Sequence, residues 1–176
     1  MLAPMEWIAA LLLVLLVWAV VIYNLLVRDL HRVRAAWSDI EVQLKRRHDL
    51  IPKLVDAVRQ YAAYEQATLS TLTELRSRAA GAARAGLRAP LEQALGAEIH
   101  KLIALAEAYP DLKASDSFLD LQRNLTEVEN DIQMARRYYN GAVRNYNVRI
   151  DSFPDLLIAR LFRFRPAEFF ELEDAA

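Results

Sequence analysis

The chain contains no cysteine, which excludes disulfides, thiolate catalysis and Cys-ligated zinc. Four glycines in 176 residues are too few for a phosphate-cradling loop or a turn-rich β fold. No charge of one sign dominates. With 22 Lys and Arg against 23 Asp and Glu, the net charge of −1 gives no basic field to draw in nucleic acid. The three histidines, His31, His48 and His100, never stand three or four positions apart, and no HExxH motif occurs. His48 beside Asp49 is not read as a base with its orienting carboxylate, because adjacent helical residues face different ways and no nucleophile accompanies them. Glu127, Glu129 and Asp131 lack the Glu-x-x-His partner of bundle metal sites. They read as a solvated face with Arg136 and Arg137 as counter-charges. No catalytic residue, metal ligand or cofactor is expected.

Apolar residues are abundant. "WIAALLLVLLVWAVVIYNLLV", Trp7 to Val27, carries no formal charge, and at helical rise it spans roughly 31 Å, the thickness of a hydrocarbon core. Trp7 and Tyr23 suit the two interfaces, and Arg28 follows as the first basic anchor. A cleaved signal peptide would need a positive start, a shorter apolar core and a small-x-small cleavage site, whereas this chain opens "MLAPME". A retained, single-pass transmembrane helix is therefore expected. Arg28, Arg32, Arg34, Lys45, Arg46 and Arg47 follow the span and no basic residue precedes it. The positive-inside rule then puts the N-terminus outside and the remainder in the cytoplasm.

From residue 28 onward apolar residues recur at steps of three and four, which keeps one stripe of a helix on a partner. The longest run is Phe118, Leu121, Leu125, Val128, Ile132, Ala135, Tyr139, Ala142, Tyr146. Others are Leu30–Leu44, Leu54–Leu72 (through Tyr61 and Ala62) and Leu91–Leu105. Gly81, Gly86 and Pro90 break one pair of helices, "YPDLKASDS" the next, and "DSFP" ends the last. Ser115 or Ser117 can cap the final helix. At "HDLIP", residues 48–52, a turn competes with a kinked continuous helix, and the turn is favoured because an interior proline costs ~3 kcal/mol. The expected fold is all-α: a transmembrane helix in 1–27, an antiparallel, up-and-down four-helix bundle in 28–150 and an amphipathic C-terminal segment in 151–176. The bundle helices are expected at about 28–49, 52–82, 89–109 and 116–150.

Two Tyr-Asn pairs, Tyr139-Asn140 and Tyr146-Asn147, stand seven residues apart. The tyrosines share the heptad position of Phe118, Leu125 and Ile132, so they read as core, with the asparagines at the stripe's edge. Buried hydroxyls and amides need partners, and His48, Glu65, Glu107 and Arg136 are the candidates. Two readings stay open: a polar network that fixes helix register, and a ligand-binding cluster. Lys45 to Arg47 lie about 27 Å beyond Arg28 by helix rise, beyond the reach of the same membrane's headgroups, which leaves salt bridges or a partner contact. In the tail, Phe153, Leu156, Leu157, Leu161, Phe162 and Phe164 are interleaved with Arg160, Arg163 and Arg165. That mixture suits either an interfacial segment or one folded back on the bundle.

"YNLLV", "AWSDIEVQLKRRHDLIPKLVDAV", "AEAYPDLKAS", "ENDIQMARRYYNGAVRNYN" and "FPDLLIARLF" together, in that order, resemble the LemA family of bacterial membrane proteins. The resemblance implies a single-pass anchor on an antiparallel four-helix bundle, with no established catalytic reaction. It also points to membrane organisation or quality control, since one relative helps build magnetosome membranes and others are encoded near membrane metalloproteases. The chain departs from the family at Tyr64-Glu65, where a His-Glu pair is common, and at Ser115, where Asn is usual. The expected role is a non-enzymatic, membrane-anchored scaffold that presents its bundle to membrane or cytoplasmic proteins, or to a second copy as a homo-oligomer. The alternative is a ligand- or lipid-binding sensor built on the Tyr/Asn/Arg cluster. Its partners are the lipid bilayer and proteins, not nucleic acid.

Overall fold

The computed structural model describes residues 4–59 and 66–170. Every regular element among them is helical: α1 (Pro4–Arg59), α2 (Gln66–Gly81), α3 (Ala85–Ala106), α4 (Pro110–Lys113), α5 (Asp116–Asp151) and α6 (Asp155–Leu161). Candidate partner Glu65, the core positions Tyr61 and Ala62, and the departure at Tyr64 lie outside the described residues.

The first half of α1 is long and apolar enough to cross a membrane. From Trp7 to Val21 nearly every side chain is bare, with no protein surface against it. Packing starts at Ile22 and Leu26 and continues through Val33, Ala36, Ile40 and Leu44. The same helix therefore passes from an all-round apolar rod to a one-sided core stripe without a break.

The turn expected at residues 48–52 is absent, because α1 runs through Pro52 to Arg59. Two physical reasons outweigh the cost of the proline. Ile51, Leu54, Val55 and Val58 carry the apolar stripe of Leu44 onward into the core, so a turn would point them away from it. The carbonyl orphaned by the missing Pro52 N–H is that of His48, and Arg76 of α2 donates its Nε–H to that oxygen at 2.8 Å. Helix α1 thus continues to Arg59 and does not end near residue 50.

Helix α5 lies along α1 in the opposite direction, as three pairings show. Arg149 meets Asp29 at 3.2 Å, the Tyr139 ring packs tilted against Trp37 at 5.4 Å, and Asp131 meets Arg46 at 3.0 Å. Helix α3 runs with α1, Arg88 reaching Glu41 and Glu92 reaching Arg47. Ser115 is the N-cap residue of α5, but its hydroxyl pairs with that of Ser117 at 2.8 Å and not with the helix backbone. Two apolar clusters fill the interior. One, near the apolar half of α1, holds Ile40, Val143, Tyr146 and Phe170; the other, at the far end, holds Leu54, Leu72, Leu95 and Leu102.

The Arg76 bond makes a measurable claim. Arg76→Leu should lower stability by about 1–3 kcal/mol, the value of a charge-assisted hydrogen bond to a buried carbonyl. In a Pro52→Ala background the restored N–H at residue 52 supplies a replacement donor, and most of that loss should vanish. Equal losses in both backgrounds, read from denaturant melts of the full double-mutant cycle, would show that Arg76 does not compensate for the proline.

Candidate functional site

The Tyr-Asn pairs face α1 and the C-terminal segment, which leaves α6 and runs back along the groove between α1 and α5 without regular structure from Phe164 to Phe170. All four side chains bind the backbone of this strap. Tyr146 donates its hydroxyl hydrogen to the Arg165 carbonyl at 3.0 Å, and Tyr139 does the same to Glu168 at 2.7 Å. Each asparagine makes a double contact with one residue. Asn147 donates to the Ala167 carbonyl and accepts from its N–H, both at 2.9 Å. Asn140 treats Phe170 alike, at 3.2 and 2.9 Å. The amide side chain acts here as one peptide unit of a neighbouring strand would.

The spacing explains the repeat. Seven helical residues advance about 10.5 Å, and three extended residues advance about 10 Å. The i, i+7 pairs on α5 therefore match an i, i+3 register on the strap: 165 with 168, and 167 with 170. Phe170 closes the strap. It is 1% exposed, lies 5.9 Å from the Trp37 ring, and carries the Arg136 guanidinium over its face at 5.6 Å. Burial pushes both tyrosine hydroxyls above their ordinary titration range. The charge of Glu168 adds to this at Tyr139, whereas Arg34 opposes it at Tyr146.

The predicted partners are therefore corrected. Of the three described candidates, only Arg136 lies beside the ladder, and it serves Phe170. His48 is buried on α1 and faces Glu92, its Nε2 3.0 Å from Oε1. Glu107 is exposed at the C-cap of α3, beside the second cluster. The strap was missed as partner. Its legible signal is the three-residue spacing of Phe164, Ala167 and Phe170 around Pro166, which suits an extended chain with one inward face.

A second polar assembly was also missed. Arg47, His48, Arg88 and Glu92 are all buried between α1 and α3. Arg47 pairs with Glu92, donates to the Glu92 carbonyl at 3.0 Å, and reaches Glu129 of α5 at 2.9 Å. Arg88 approaches Glu92 at 3.4 Å. The counter-charges of Asp131 and Glu129 are thus Arg46 and Arg47, not Arg136 and Arg137 as the sequence implied. Burial works to raise the Glu92 carboxyl pKa, but the His48 hydrogen bond and the Arg47 and His48 charges outweigh it and leave it lowered. Among the membrane-side residues, Trp7 and Arg28 are exposed, and Tyr23 packs on Phe162 and Phe164 at 4.8 and 5.8 Å.

A helical body continuous with one membrane-length helix, and closed by a backbone-held strap, defines the class: an all-α protein with an N-terminal helix fit to cross a bilayer. The chain belongs to the LemA family, whose model matches residues 36–176. It is similar to magnetosome protein MamQ 2 of Paramagnetospirillum magneticum, with 27% identity over 87% of this chain and 66% of the relative. It is also similar to MamQ of Magnetospirillum gryphiswaldense, at 25% over the same shares, and to protein LemA of Metamycoplasma hominis, at 30% over 74% of this chain and 60% of the relative. The chain thus spans just under two thirds of the length of the curated relatives it matches.

Two outcomes follow. Asn140→Ala or Asn147→Ala should each cost about 1–3 kcal/mol, since each orphans a donor and an acceptor of the strap. Hydrogen exchange should rise at the Ala167 and Phe170 amides while the α2–α3 amides stay protected, and an unchanged strap would refute the ladder. For Glu92 the folded pKa lies below the ordinary 4.5, so its stabilisation is complete above about pH 4.5 and disappears as pH falls through the lowered value. Glu92→Gln should therefore cost about 3–5 kcal/mol at neutral pH, by removing the buried carboxylate that Arg47, His48 and Arg88 share, and should flatten the acid limb of the melting curve. An acid limb as steep as the parent's places the acid sensitivity elsewhere.

Proposed function

We propose that this LemA family chain is a non-enzymatic, membrane-anchored helical scaffold. Its body is an antiparallel, up-and-down four-helix bundle made of the second half of α1 with α2, α3 and α5. It presents its surface to membrane or cytoplasmic proteins, or to a second copy. The observation that carries the reading is the single helix from Pro4 to Arg59, bare and apolar at one end and core-forming at the other. A helix of this kind couples the bundle rigidly to the bilayer. It also argues against cleavage, because Ile22 and Leu26 of the apolar stretch are core residues that a removed leader would take away. The basic flank from Arg28 supports a cytoplasmic bundle at an inner membrane, with the N-terminus outside. The sensor alternative gains less support, because the tyrosine hydroxyls and asparagine amides are engaged by the strap.

The test uses Tyr138, an aromatic side chain on α5 that is 62% exposed. A photo-crosslinking residue placed there in living cells should yield discrete adducts with cytoplasmic or inner-membrane proteins, or a dimer of the chain. Adducts confined to extracytoplasmic proteins would reverse the orientation. Absence of adducts, with a stoichiometric small molecule retained in native mass spectra, would replace the scaffold by the sensor.

A further inference from the structure

Helix α6 and its flanks leave an apolar surface uncovered where α1 changes character. Phe153, Leu157, Leu161 and Phe162 are 80, 53, 71 and 55% exposed, while Ile158 and Ala159 on the opposite side are buried in the core. Leu157 and Leu161 of this short helix, with Phe153 and Phe162 at its flanks, thus point away from the protein. Its level along α1 is fixed by the Tyr23–Phe162 contact at 4.8 Å. Tyr23 precedes the end of the uncharged span by four residues, about 6 Å of helix rise. The first charged turn after that span lies just beyond, where Arg149 bridges Asp29 at 3.2 Å and Asp155 at 3.6 Å. The uncovered leucines and phenylalanines therefore sit at the boundary between the apolar and charged parts of α1.

Arginines share this level. Arg160 and Arg163 are exposed, as is Arg165. Arg163 stands out because its φ is 58°, the left-handed region. Around it the chain forms a Schellman closure: the Phe164 N–H bonds the Ala159 carbonyl at 2.9 Å and the Arg163 N–H that of Arg160 at 3.2 Å. Glycine is the usual residue at that position and avoids the ~1–2 kcal/mol cost of left-handed backbone. A long cationic side chain stands there despite that cost.

Resting on the anchor reading above, we propose that Phe153 to Arg165 form a second membrane contact, a collar beside the emerging α1. Phe153, Leu157, Leu161 and Phe162 enter the acyl–headgroup boundary, and Arg160, Arg163 and Arg165 lie among anionic phosphates. Lipid is the occupant that fits, because the patch is level with the end of the chain's own apolar span. A second copy meeting it about a two-fold axis would bring two sets of arginines together. One anchor leaves the bundle free to tilt, whereas an anchor with a collar fixes its orientation to the membrane plane.

The absence of cysteine makes single-site labelling direct. Nitroxides at Leu13→Cys, Leu161→Cys and Leu87→Cys, in the full chain in phosphatidylcholine vesicles with or without phosphatidylglycerol, report the anchor, the collar and the exposed bundle surface. Collisions with oxygen and with a water-soluble nickel chelate give the depth. At Leu161 the nickel collision rate should fall several-fold below that at Leu87, and oxygen collisions should rise. The difference should deepen with phosphatidylglycerol and shrink when Arg160→Gln and Arg163→Gln are added. A lipid-like Leu13 with Leu161 as water-exposed as Leu87 overturns the collar and leaves the anchor standing. A water-exposed Leu13 overturns both. A Leu161 label shielded from both reagents and broadened by a neighbouring spin assigns the patch to a second copy instead, and depth indifferent to lipid charge or to the arginines overturns the anionic assignment.

Discussion

Helix α1 joins, on one backbone, a stretch long and apolar enough to cross a bilayer and a stripe that builds the core. Over its first five turns nothing but its own i to i−4 ladder can bond its peptide groups in a hydrocarbon setting, so it has to be a continuous helix there. From Ile22 onward it supplies the stripe on which α2, α3 and α5 assemble. Everything else in the structure is arranged to keep those two halves in one rod. Where Pro52 removes a bond, Arg76 replaces it from a neighbouring helix. Where the apolar rod gives way to charge, Asp29 is held by Arg149 and Arg32, so the transition does not fray.

Two layers follow from this rod. The far cluster is ordinary helix packing, leucines against leucines. The near cluster is closed by the strap, with Phe170 filling the space between α1 and α5 that a helix would otherwise fill. Between them lies the ion network around Glu92. Its groups are buried where three helices meet, so its geometry is satisfied by only one axial setting of α3 against α1 and α5. A shift of either helix by a single residue would strand a charge in the interior, which apolar contacts alone would not penalise as heavily.

The sequence carried the long-range plan well and the local decision at Pro52 badly. Periodicity located α3 and α5 to within a few residues, because their stripes are long and end at proline or glycine. At residues 48–52 the same periodicity argues for continuity, against the intrinsic cost of an interior proline. What decided the matter is a hydrogen bond from a residue 28 positions away, which no local pattern contains. The Tyr-Asn pairs were legible as buried polar groups in need of partners. Their partners were not, since they are main-chain atoms and leave no mark in residue identity. Arg47 and Glu92 were hidden for a related reason: in a linear reading "KRR" looks like solvated charge, and only the packing of α3 shows that one arginine of the three is inside.

The strap is gripped through its main chain, and that determines which substitutions it can absorb. The ladder touches four of its carbonyls and two of its N–H groups, those of Ala167 and Phe170, and it reads almost nothing of the side chains before Phe170. Pro166 fits because the N–H it lacks is one the ladder never uses. The same ring one position later, or at 170, would remove a rung. The segment can therefore drift in composition at Glu168 while its length and the placing of its prolines stay fixed, so that relatives sharing the Tyr-Asn pairs would be recognisable by the count of residues to the closing aromatic rather than by the residues themselves.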